Sequence, residues 1–190
     1  MGTSRNDRSP RIPPWKPALA VIGNEAVSPQ RQSQEIWRAA FADRGSSLLE
    51  DFSHPALANA CKLVSQRAPV HEALEKFDIA TLHEDRSGLA LTLGRRALAR
   101  SLSTTASASD FAAHLFGDAV AYYASRDLPS FVGAPKRVAT NSAAIDLKRD
   151  LVRIAREKAK TVRLLRTDSE HWRAYVSHVL ALLRGVEPHD

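Results

Sequence analysis

The sequence predicts an all-α protein, a single compact bundle of about six or seven helices with an extended proline-rich N-terminal arm. Three observations lead there. Apolar residues recur at intervals of three and four from Ser28 onward, no run alternates at period two over a useful length, and helix-starting and helix-stopping residues punctuate the periodic runs. With 190 residues, 44% of them hydrophobic and 25% charged, the chain has the material for one buried core. The expected division is an arm over 1–27 and a helical domain over 28–190.

In the arm, Pro10, Pro13, Pro14 and Pro17 favour extended or polyproline-like backbone, with Trp15 as its large anchor. Ser28 and Pro29 supply an N-cap and a first-turn proline for a helix that carries Ile36, Trp37, Ala40 and Phe41 and stops near Gly45. A short helix is expected over 46–52. Ser53 then caps another, with Pro55 in its first turn and Leu57, Cys61 and Val64 along one stripe, so Cys61 is expected to be a buried structural thiol.

Pro69 opens a helix with Val70, Leu74 and Phe77 on one side. After a loop from His83 to Gly88, the run Leu89 to Leu102 is apolar nearly all round. Ser107 and Asp110 form a capping box ahead of Phe111, Leu115, Ala119 and Tyr122, and Leu128-Pro129 ends that helix. An apolar loop, Phe131 to Pro135, precedes AAIDLKRDLVRIAREKAKTVRLLRTD (143–168), the next helical stretch. Thr167 with Glu170 signals a capping box for the last helix, and Gly185 stands where a left-handed residue ends one.

The formal charge is +6, yet residues 136–166 alone hold ten basic and three acidic side chains. The basic character is therefore local. Placed on a helix, Ala144, Leu147, Leu151, Ile154, Thr161 and Leu165 form an apolar seam, interrupted by Lys158. Arg149, Arg153, Arg156, Lys160 and Arg163 form a second stripe, roughly 200° from the first at about 100° per residue, which faces solvent. Asp146, Asp150 and Glu157 each stand three residues before a member of that row and blunt its field. No aromatic side chain is interleaved with the cations, so no stacking platform for single-stranded bases accompanies them.

Most catalytic chemistry lacks its residues here. Cys61 is the sole cysteine, which excludes a disulfide framework and CxxC metal or redox sites, and HExxH is absent. GLALTLGRR has two glycines at the wrong spacing for a phosphate-binding loop, and neither GxGxxG nor GxSxG occurs. His114 and Asp118 share a helix face four residues apart, but two residues do not make a metal site. No metal and no cofactor are expected. The apolar run Ala18 to Gly23 is too short for a signal peptide, and no stretch reaches the length of a membrane span. A cytoplasmic protein without a membrane partner is the expectation.

RAYVSH (Arg173 to His178) has the form R-x4-H, which resembles the motif of the HEPN ribonuclease families. Those families are all-α, with the motif on a late helix. The resemblance implies a His that moves a proton at the ribose 2′-hydroxyl and an Arg that stabilises phosphate charge. The same spacing also occurs at Arg166/His171 and Arg184/His189, and the residue after Arg173 is Ala174 where those families usually carry a polar one.

The function expected is a non-enzymatic helical interaction or regulatory protein, an adaptor that contacts an acidic protein partner through the basic helix. Trp15 in the arm and Phe131 in the loop are expected as further contacts. Sequence-independent nucleic-acid binding through the same cations is the second expectation. A HEPN-like ribonuclease using Arg173 and His178 is the third.

Overall fold

The computed structural model describes residues 18, 20–21, 24, 26–41, 45–83, 88–104, 107–133, 138 and 140–186. Trp15 and most of the expected arm lie outside them, as do Pro135, Lys136, Arg137 and the side chain of Phe131. The elements are α1 (Pro29–Phe41), α2 (Gly45–Phe52), α3 (Pro55–Ser65), α4 (Val70–Thr81), α5 (Gly88–Leu102), α6 (Ala108–Asp127), a 3-10 turn (Leu128–Phe131), α7 (Asn141–Thr161) and α8 (Ser169–Arg184). Among the described residues there is no strand, only an isolated bridge between Val132 and Val138 ahead of α7. The all-α class stands as predicted.

The helix ends follow local hydrogen bonding. Ser28 Oγ accepts the Arg31 amide at 3.3 Å and Pro29 opens α1. The Ser107–Asp110 capping box forms, with the Ser107 amide donating to Asp110 at 2.9 Å. Gly185 sits at φ +67°, and the amides of Gly185 and Val186 return to Leu182 and Ala181 as a Schellman ending. Two caps fall one residue away from the expected position. His54 rather than Ser53 caps α3, its Nδ1 accepting from the Ala56 amide at 3.1 Å. Asp168 rather than Thr167 caps α8, its carboxylate accepting from the His171 amide at 3.1 Å.

The core assembles around α6. Phe111, Leu115, Phe116 and Ala119 are fully buried, and Tyr123 is buried where Tyr122 was expected, Tyr122 being 46% exposed. α8 joins this helix to two others. Trp172 lies 5.9 Å from Phe111 and 5.4 Å from Tyr175, ring centre to ring centre. Its Nε1 donates to Phe52 O at 2.9 Å, and Tyr175 Oη donates to Ala159 O at 2.7 Å. Cys61 is buried as expected, and burial pushes its thiol up to about 12. No helix of the described residues is long and apolar enough to cross a membrane.

The last helix is tied back to the first. Arg38 Nε donates to Arg184 O at 2.7 Å and Nη2 donates to Gly185 O at 3.3 Å, while Nη1 bonds the buried Glu35 at 3.0 Å. The C-terminal carbonyls of α8 thereby gain charged donors in place of solvent.

Replacing Trp172 by Phe retains an aromatic ring but leaves the Phe52 carbonyl without its donor. The expected result is a loss of about 1–3 kcal/mol in urea unfolding at unchanged m value. A midpoint equal to that of the parent would show that this bond contributes nothing to the fold.

Candidate docking groove

From Asp110 to Asp118 the polar residues of α6 are Asp110, His114 and Asp118, spaced by fours on one stripe, and every position between them is buried and either apolar or Gly117. α7 packs along this stripe in antiparallel sense. Lys160 bonds Asp110 at 2.6 Å, Arg156 meets Asp118 at 3.7 Å, and Lys148 donates to Ser125 Oγ at 2.7 Å. Arg100 of α5 reaches the same Asp118 at 3.0 Å. The carboxyl of Asp110 is held well below the usual carboxylate range, chiefly by the Lys160 ammonium and then by the Ser107 amide and hydroxyl.

Gly117 allows one close approach. A Cβ there would stand 2.6 Å from Arg156 Nε and 2.9 Å from its Cγ, so the arginine stem lies directly on the α6 backbone. Arg156 Nε is buried there with no hydrogen-bond partner among the described residues, as is His114 Nδ1. Burial, together with the nearby Arg100 and Arg156 charges, lowers the His114 pKa. Asp118 and Asp110 act in the opposite direction.

Between α6 and α7 runs a groove of about 590 Å³. Its α7 wall consists of Ile145, Lys148, Arg149, Val152, Arg153, Arg156, Glu157 and Lys160, and its α6 wall of Asp110, Ala113 and His114. These α7 positions recur at threes and fours, a single face of the helix. Four of the five cations expected in the basic row therefore line one groove. Arg149 and Arg153 are exposed, but Arg156 is partly covered by α6, so the row does not lie wholly in solvent as expected.

Arg163 is the fifth, and it does not belong to the helix. α7 ends at Thr161, whose Oγ1 bonds back to Lys158 O at 2.8 Å, and Val162 is extended. The expected seam fails at the same place: Leu151 and Ile154 are buried, whereas Thr161 and Leu165 are exposed. Beyond Thr161 the chain crosses toward α8, and Val162 and Leu164 pack on the core instead.

Two of the three expected pairs within the helix form, Asp146–Arg149 at 2.8 Å and Asp150–Arg153 at 3.6 Å. Glu157 turns to Arg153 at 3.0 Å rather than to Lys160, which is occupied by Asp110 across the interface. Sequence reasoning missed Asp110 and Asp118 because they lie far from α7 along the chain. It also missed Ile145 and Val152, which stand seven residues apart among the cations.

Arg173 serves as a tie between α8 and α2, its two terminal nitrogens meeting Glu50 at 2.5 and 3.0 Å and Ser53 Oγ at 3.2 Å. His178 is exposed, about 140° around α8 from Arg173 at about 100° per residue. His114 and Asp118 are not joined by further ligands, since the described residues hold no group of three side chains suited to a metal ion. Comparison with family models, with curated proteins and with solved structures finds no match for this chain.

Two outcomes follow from this packing. Gly117→Leu should cost about 1–3 kcal/mol by displacing the Arg156 stem. Combined with Arg156→Ala it should cost at least about 0.5 kcal/mol less than the sum of the single changes; strict additivity in denaturation would refute the contact. The second concerns pH. A carboxylate with a lowered folded-state pKa contributes stability above its ordinary value of 3.8, and that contribution disappears as pH falls through the folded value. Asp110→Asn should therefore lose less stability than the parent between neutral pH and about pH 3. Parallel losses measured by urea titration would contradict the pairing.

Proposed function

We propose that this chain is a non-enzymatic helical interaction protein that docks an acidic segment of a protein partner on the outer face of α7. The observation that carries the proposal is the groove itself. Lys148, Arg149, Arg153, Arg156 and Lys160 line it with Asp110 and Glu157, and although Asp146, Asp150 and Asp118 pair with Arg149, Arg153 and Arg156 from outside the lining, cations outnumber carboxylates on the lining itself.

The outer cations are also available at low cost. Asp146–Arg149 has side chains 55% and 75% exposed, and Arg153–Glu157 has side chains 55% and 59% exposed. Pairs so open to water contribute only about 0–1 kcal/mol each, so an arriving carboxylate exchanges with them readily. Lys148 is bonded to a hydroxyl, and no carboxylate pairs with it among the described residues. Asp146, Asp150 and Glu157 flank the cations on one side of α7 at about 100° per residue, which opposes a broad line of phosphates more than it opposes a segment with spaced carboxylates.

Binding of fluorescent poly-glutamate to the full chain, compared with that of a DNA duplex, tests the proposal. Replacing Lys148, Arg149 and Arg153 together by Gln should weaken poly-glutamate binding about tenfold or more without lowering the melting temperature. Unchanged affinity would overturn the assignment to α7. Tighter binding of the duplex, with a steep salt dependence lost in the triple variant, would establish nucleic acid as the ligand.

A further inference from the structure

We infer that the acidic segment accepted by the α6–α7 groove is an amphipathic helix, recognised by an apolar pair within the cationic face as well as by its charges. The inference rests on the assignment of this groove as the docking surface. It goes further by specifying the pattern that the partner carries.

The geometry of α7 supplies the argument. At about 100° per residue, Val152 lies roughly 20° from Ile145 around the helix axis, and Arg156, Arg149 and Lys160 lie within about 60° on the other side. Apolar and cationic side chains therefore share one narrow stripe. Ile145 is 65% exposed, Val152 is partly buried, and Ala113 of α6 is 2% exposed at the floor of the groove. Ile145 is an exposed apolar residue on the lining of the groove, and covering it with an apolar side chain of a ligand is favourable.

From Ile145 to Lys160 the stripe is about 22 Å long at about 1.5 Å per residue. Helix-in-groove recognition over that length presents side chains at i, i+3, i+4 and i+7. Ile145 and Val152 stand at i and i+7, with Lys148 and Arg149 between them and Arg153 and Arg156 beyond. The matching helix has two apolar residues seven apart and acidic residues in the intervening and following turns. Charge complementarity sets its sign, and the apolar pair sets its register.

Fluorescence anisotropy on the full chain tests this with two labelled peptides of about 16 residues, equal in composition and net charge. One carries leucines at i and i+7 with glutamates at the intervening stripe positions; the other disperses the same leucines around the helix. The patterned peptide should bind about tenfold tighter, and Ile145→Ser should remove most of that advantage while leaving the dispersed peptide unaffected. Arg149→Gln with Arg153→Gln should weaken both peptides. Equal affinity for the two peptides, or an Ile145→Ser variant that binds the patterned peptide normally, overturns the apolar readout and leaves the acidic docking face in place. Failure of both peptides to bind overturns the docking assignment and this inference with it. Because Ile145 is exposed, the variant should melt as the parent does, so a loss of binding reports the contact and not the fold.

Discussion

The burial of α6 constrains the rest of the molecule. Phe111, Ala112, Ala113, Leu115, Phe116, Ala119, Val120, Tyr123 and Ala124 are all buried, which leaves one partly exposed stripe from Asp110 to Asp118. Asp110 and Asp118 occupy that stripe and need cationic partners, because a carboxylate held near a core is costly when left alone. Lys160 and Arg156 of α7 and Arg100 of α5 supply them. α7 runs antiparallel to α6, with Lys160 at Asp110, Arg156 at Asp118 and Lys148 at Ser125. The position of the groove follows in turn, because it is the space left where the two polar stripes meet.

Much of the fold was legible in the sequence because its signals act locally. The capping box at Ser107, the proline at residue 29 and the glycine at residue 185 each specify backbone through their own side chain or its absence. The two misplaced caps lie where neighbouring residues compete for the same amide. Ser53 and His54 both carry acceptors, as do Thr167 and Asp168, and propensity alone does not choose between them. The end of α7 was obscured for another reason. Arg163 and Leu165 continue the helical spacing after Thr161, so the pattern persists across a segment that tertiary packing draws out straight.

The candidate site was legible only in part. Its α7 wall is written in one continuous stretch, and four of its cations were identified from periodicity. Its α6 wall is not, because Asp110 and His114 meet those cations through the tertiary fold and no local spacing connects them. The charge of the region is correspondingly less free than the count for residues 136–166 implies. Lys160 and Arg156 are engaged by α6, while Arg149 and Arg153 are held only by their neighbours along the helix. The first pair fixes the groove wall, and the second lies exposed along it.

The clasp that Arg38 makes on Arg184 and Gly185 has a kinetic consequence. Its donors and acceptors are separated by 146 and 147 positions in the chain, so the contact is among the most non-local in the structure. Loop-closure entropy opposes it until the intervening helices have condensed. During synthesis α1 emerges early but waits for nearly the whole domain before its guanidinium finds those carbonyls. A chain interrupted before Arg184 lacks both carbonyls that Arg38 reaches, so its first helix is left without this clasp.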